Sequence, residues 1–119
     1  DTNDASIVAK LVYGNTSFLF TGDSPIKIEN YLVSIDGESL DTDVLKAGHH
    51  GSKTSSGESF IGYTSPEYVI ISAGADNQYG HPHEEVLLRL SAFKSAVLRT
   101  DELGTIVFKS DGKTVIVSH

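Results

Sequence analysis

The chain has 119 residues, 39% of them apolar and 21% charged, with nine basic and sixteen acidic side chains and a formal charge of −7. This is the make-up of one globular domain, and its longest near-apolar run, residues 68–75, is too short to cross a bilayer. The lack of cysteine excludes disulfides and thiolate–zinc sites; the acidic balance weakens a nucleic-acid-binding reading but does not remove it, because two bound divalent cations would offset about four charges at the site itself.

Taken in order, Ser6 to Tyr13 is β-rich, with Ile7, Ala9, Leu11 and Tyr13 on one face. A turn at Gly14-Asn15-Thr16 leads to a second strand, Ser17 to Thr21, so a hairpin is expected. Ser24-Pro25 has the form of a helix start, Ser as cap and Pro at the first helical position. Ile28, Leu32 and Ile35 recur at helical spacing, which predicts a helix over 25–34 that ends at Asp36-Gly37. Asp43 to Ala47 reads as a short buried strand, and Lys53 to Gly57 as a polar, flexible stretch. Glu58 to Tyr63 has room for a single helical turn. Glu67 to Ala73 is the strongest strand, with 68–71 expected to be buried on both faces. Pro82 is expected to open a helix to about Phe93 with the apolar stripe Val86, Leu87, Leu90 and Phe93, and Glu84 and Glu85 in the first turn where the helix dipole favours acids. Ala96 to Thr100 is a further strand, and residues 104–118 form a hairpin about Asp111-Gly112. Strands interleaved with helices, closed by a hairpin, predict an α/β fold with a mixed sheet and about three helices.

Two loops carry the chemistry. Thr21-Gly22-Asp23 and Gly48-His49-His50-Gly51-Ser52 each follow a strand, and open α/β sheets gather their ligands at the C-terminal strand ends. Asp and His together are ligand chemistry for a divalent metal such as zinc. Asp23 has two readings, a turn carboxylate capping the helix at Pro25 or a metal ligand. In extended backbone adjacent side chains diverge, so one of His49 and His50 is expected to bind metal and the other to touch substrate or orient the first. A Ser52 nucleophile is disfavoured because the G-x-S-x-G turn is missing; Ser52 suits a bond within its own loop or to a phosphate oxygen. His81, in Tyr79-Gly80-His81-Pro82, is either a capping or packing residue or one that meets substrate. His83, one residue into the helix, reads as a surface group, His119 as an inert terminal residue, and Arg99 as a salt-bridge partner.

These segments, in this order, resemble the second half of a metallo-β-lactamase-fold hydrolase, and more narrowly the C-terminal hydrolase domain of the ComEC family of competence DNA-uptake channel proteins. The resemblance runs through Phe18-Leu19-Phe20-Thr21-Gly22-Asp23, Asp43-Val44-Leu45-Lys46-Ala47-Gly48-His49-His50-Gly51-Ser52, Ile70-Ile71-Ser72, Asn77-Gln78-Tyr79-Gly80-His81-Pro82 and Leu98-Arg99-Thr100-Asp101, nearly the whole chain. The Tyr-Gly-His-Pro and Arg-Thr-Asp segments favour ComEC over phosphorylcholine-esterase-like relatives. The resemblance implies an αββα sandwich of which residues 1–119 form the C-terminal half, with two zinc ions in the intact domain. It implies metal ligation by Asp23 and His50, with His49 facing substrate and the two histidines exchangeable in role; His81 joins His49 as a candidate catalytic or substrate-contacting residue on its own position before a helix start. It further implies a parent in the bacterial cell membrane, with this segment itself making no membrane contact, and DNA as the parent's substrate or partner.

The superfamily's His-x-His-x-Asp-His ligand cluster has no counterpart in this sequence. Zinc binding by the chain alone is therefore expected to be weak or absent, and so is hydrolysis. The expected partner is the missing N-terminal half; without it, exposed apolar surface predicts a homo-oligomer. Two alternatives stand beside a phosphodiesterase fragment: a non-catalytic binding or structural module, and a small phosphodiester esterase of the same superfamily.

Overall fold

The computed structural model describes residues 2–119. Five strands, β1 (Ala9–Tyr13), β2 (Thr16–Phe20), β3 (Val44–Lys46), β4 (Tyr68–Ile71) and β5 (Ala96–Arg99), lie side by side in sequence order. β1 and β2 form an antiparallel hairpin; β2, β3, β4 and β5 run parallel. The crossovers carry α1 (Ile26–Asp36), α2 (Glu58–Thr64) and α3 (Glu84–Ala92), and a short α4 (Thr100–Leu103) follows β5. A separate hairpin, β6 (Val107–Ser110) and β7 (Val115–Ser118), completes the described chain. The α/β class and mixed sheet are as the sequence predicts, with four helices rather than about three.

The register divides the strands' residues between two environments. Leu19, Leu45, Val69 and Val97 stand in one row across the sheet, beneath Phe60 and Ile61 of α2 and Val86 and Leu90 of α3. One position along each strand, Phe20, Lys46, Ile70 and Leu98 form the neighbouring row, on the opposite face because strand side chains alternate. That opposite face is covered in part by the terminal hairpin. Phe108 meets the rings of Phe18 at 6.4 Å and Tyr68 at 5.5 Å, both edge-on. Thr16 and Ser110 share a hydroxyl hydrogen bond of 2.6 Å, and the Asn15 N–H donates to the Gly112 carbonyl at 2.7 Å. Residues 68–71 are thus buried unequally: Val69 and Ile71 fully, Tyr68 and Ile70 by half.

Several boundaries differ from the sequence expectation for identifiable reasons. β1 begins at Ala9, and Ile7 lies outside it, 83% exposed. The N-cap of α1 is Pro25, not Ser24, because the first helical N–H, at Ile26, is taken by the Thr54 carbonyl at 2.9 Å; Ser24 turns its hydroxyl into the interior instead. Asp23 makes no side-chain cap either. α2 runs two turns, to Thr64, whose hydroxyl back-bonds to the Phe60 carbonyl. α3 starts at Glu84, two residues after Pro82, and the His83 ring, at the surface, accepts from the Glu85 N–H as its cap. Residues 55–57, read as flexible, are buried, and Ser56 and Gly57 are held by the Glu29 side chain of α1. No helix among the described residues is long and apolar enough to cross a membrane.

Candidate functional site

Parallel pairing brings the C-terminal ends of β2, β3, β4 and β5 to a single edge of the sheet, and the loops that leave them are stitched together there. The His49 N–H donates to the Gly22 carbonyl at 2.9 Å, which ties the histidine turn to the turn that carries Asp23. The His50 Nδ1 lies 2.6 Å from the Ser72 carbonyl beyond β4. The Ala73 N–H donates to the Thr100 hydroxyl at 3.0 Å, drawing in the end of β5, and the His83 N–H donates to the Gly51 carbonyl at 2.9 Å.

Both histidines sit in left-handed backbone, His49 at φ 49° and His50 at φ 55°, not in the extended chain assumed from sequence. Such conformations persist at non-glycine residues only where surrounding contacts over-determine them. Gly51 is required next: its φ is +81°, and a β-carbon there would come within 2.7 Å of Pro82. That close approach brings the two loops together. The His49 and His81 rings lie 5.7 Å apart at 74°, and His49 and His50 lie 6.5 Å apart. Tyr79 flanks His81 at 5.7 Å. Asn77 holds the His81 loop from within: its side-chain carbonyl accepts from the N–H groups of Tyr79 and His81, and its amide donates to the carbonyls of Gly74 and His81. Partial burial and then the nearby His49, His50 and His83 lower the pKa of His81 below the usual histidine value, favouring its neutral form.

The four residues singled out for function stand as follows. His49 and His81 are brought into ring contact. His50 is beside His49 and bonded to the next loop. Asp23 is half-buried; its N–H donates to the Ser6 hydroxyl, while its carboxylate makes no hydrogen bond or ion pair among the described residues. A carbonyl only accepts, so Nδ1 of His50 carries the proton toward Ser72, and Nε2 of the neutral ring keeps its lone pair. Metal-binding histidines are commonly oriented by this kind of backbone bond. Among the described residues no group of three or more His, Cys, Asp or Glu is arranged to hold a metal.

Other expectations are met locally. The Ser52 hydroxyl is buried against Thr54 at 2.9 Å, within its own loop. Arg99 pairs with Asp101 at 2.7 Å, holding that carboxyl below the usual aspartate range. Two supporting residues were not read from sequence. Asn77 had a signal, an amide four residues before His81 in a turn-rich loop. Glu29 had a weaker one, a glutamate three and four residues before the apolar pair Leu32 and Val33 on the inward side of α1.

Comparison with known proteins now bears on this arrangement. The chain is 43% identical over 107 residues to ComE operon protein 3 of Bacillus subtilis, a match covering 90% of this chain and 14% of that protein. It is 44% identical over 108 residues to competence protein ComA of Neisseria gonorrhoeae, covering 91% of this chain and 16% of that one. Recombination protein 2 of Haemophilus influenzae is 39% identical over 104 residues, 87% of this chain and 13% of the relative. Over nearly its whole length the chain is thus homologous to a short segment of proteins named for competence and recombination. The chain spans roughly one seventh of the length of the curated relatives it matches, and homology to those competence proteins takes in both histidine-bearing loops because it covers about nine-tenths of the chain. No protein-family profile and no solved structure matches.

Proposed function

We propose that this chain is the C-terminal half of a metal-dependent phosphodiesterase domain within a competence protein of the DNA-uptake machinery, and that it is inactive alone. The observation that carries the reading is the convergence of His49, His50 and His81 beside the Asp23 turn at the C-terminal edge of a parallel sheet. Asp23 and His50 are assigned as metal ligands, the remaining ligands coming from elsewhere in the longer protein. Zinc, when bound there, would supply a Lewis acid and an ionised water. The chain's own residues do the rest. His49 and His81, in edge contact, present ring N–H groups to phosphate oxygens, and the lowered pKa of His81 keeps it neutral near pH 7 and able to accept or pass on a proton. Asn77 and Gly51 hold that pair in place.

The fold that goes with this function is a metallo-β-lactamase-like αββα sandwich. An apolar hollow of about 700 Å³ on the sheet face away from the helices, lined by Leu11, Phe18, Phe20, Val44, Ile70 and Phe108, supports it as the seat of the missing half-sandwich. Lacking that half, the chain is expected to self-associate through the same face. The parent would lie in the bacterial cell membrane.

The test is reconstitution. The chain is co-expressed with the polypeptide that precedes it in the parent, and zinc content and hydrolysis of bis(p-nitrophenyl) phosphate and single-stranded DNA are measured. Stoichiometric metal and hydrolysis, both lost with Asp23→Ala or His50→Ala, are expected; a folded, reassembled domain without either defeats the proposal. A second reading, a binding module without catalysis, rests on the lack of a three-ligand group among the described residues and is the conclusion if reassembly restores neither metal nor activity. Turnover of phosphorylcholine esters in preference to DNA would instead indicate the small-ester hydrolase.

A further inference from the structure

Glu29 is fully buried on α1, yet its carboxylate is not part of the site described above. Its two oxygens each accept one backbone N–H, from Ser56 at 2.6 Å and from Gly57 at 2.8 Å. The Ser56 carbonyl, in the same peptide segment, accepts from Arg89 of α3 at 2.8 Å. Ser56 itself is in left-handed backbone at φ 59°, and a β-carbon on Gly57 would stand 3.3 Å from a Glu29 oxygen. A carboxylate and a guanidinium on two different helices therefore grip one strained segment from both sides.

That segment leads straight back to the histidines. Ser55 donates its hydroxyl to the Ser24 carbonyl at 2.7 Å and its N–H to the Ser52 carbonyl at 3.1 Å. Ser52 donates its N–H to the His49 carbonyl at 2.9 Å, and the Thr54 hydroxyl lies 3.4 Å from Nδ1 of His49. Gly48, which opens the turn, packs so closely that an added β-carbon would meet Ser55 at 3.1 Å. The histidine turn is thus closed on its C-terminal side by contacts that end at Glu29.

We infer that Glu29 is a positioning residue for the histidine turn: with Arg89 it clamps residues 55–57, and through Ser55, Thr54 and Ser52 it holds His49 and His50 in the left-handed conformation that brings His49 against His81. The role rests on reading that turn as part of the functional site, but its test reads geometry in this chain alone, so the catalytic proposal can fail without it and the reverse. In Glu29→Gln an amide NH2 replaces one acceptor oxygen, leaving one of the two N–H groups facing a donor.

The experiment is amide hydrogen exchange by NMR on wild type, Glu29→Gln, Arg89→Gln and Val97→Ala, the last a destabilising control in the sheet core away from the clamp. In folded Glu29→Gln, exchange at the His49 amide, bonded to the Gly22 carbonyl, and the Ser52 amide, bonded across the turn to the His49 carbonyl, is expected to rise at least tenfold, together with loss of ring-to-ring contacts between His49 and His81. Val97→Ala is expected to leave both unchanged relative to its own global stability. Exchange at His49 and Ser52 that stays at the wild-type rate while only Ser56 and Gly57 respond would overturn the inference. Should Glu29→Gln fail to fold, Arg89→Gln decides by the same two amides: faster exchange supports the clamp, and unaltered exchange refutes it.

Discussion

Ile70 and Ile71 are neighbours of the same type in one strand, and they lie on opposite faces of the sheet. Ile71 is fully buried among helix side chains, whereas Ile70 is half-buried at the rim of an apolar hollow that the terminal hairpin covers only in part. The helix-covered face is a finished core, with Leu19, Leu45, Val69 and Val97 in a continuous row beneath α2 and α3. The other face has Phe20 43% and Leu11 59% exposed, and β1 is exposed along its whole length. The difference teaches that this chain stabilises itself from one side, while the opposite side carries apolar residues that its own elements leave in contact with water.

The sharpest test of that asymmetry compares the two isoleucines. Ile71→Ala is expected to cost about 2–5 kcal/mol in urea unfolding, the range for a large-to-small change in a packed core. Ile70→Ala is expected to cost less than about half of that, since fewer of its contacts are lost. Equal losses would mean that the two faces are equally packed. A smaller effect is expected from undocking the hairpin. Gly14 has φ +58°, and a β-carbon there would lie 2.4 Å from the Gly112 carbonyl oxygen. Gly14→Ala should therefore cost about 1–3 kcal/mol through backbone strain and push the β6–β7 turn away, raising binding of an apolar dye to the hollow. Unchanged dye binding would show that the hairpin does not guard that face.

The smallest effect is a pH dependence on the helix side. Burial raises the pKa of Glu29 above the usual glutamate value of 4.5, although the N–H groups of Gly57 and Ser56 and the charge of Arg89 oppose it. The folded chain then holds this proton more tightly than the unfolded chain. The stability due to Glu29 is complete below pH 4.5 and declines as pH rises through the elevated value, with a slope of at most one proton. Urea titrations across that window should show this decline in wild type and not in Glu29→Gln; a slope of the opposite sign would refute the assignment.

Much of the architecture was legible because it is local. Short apolar runs mark β2 and β4, helical spacing marks α1 and α3, and Asp111-Gly112 marks the last hairpin. The histidine turn and the Tyr-Gly-His-Pro loop were legible as residue types placed after strands. The ring contact of His49 with His81 was not, because it depends on Gly51 admitting Pro82 at close range across more than thirty residues of chain. The start of α3 lies two residues beyond Pro82, because the side chain that satisfies the Glu85 N–H is His83.

Sequence alone determined the class of the fold, the order of its elements and the chemical types gathered in two loops, because propensity, periodicity and turn chemistry act over a few residues. Tertiary structure decided which face of the sheet is closed, the left-handed backbone of both adjacent histidines and the burial of Glu29 against a distant loop. Those features arise from packing and hydrogen bonding between segments far apart in the chain, where a residue's role depends on what folds against it.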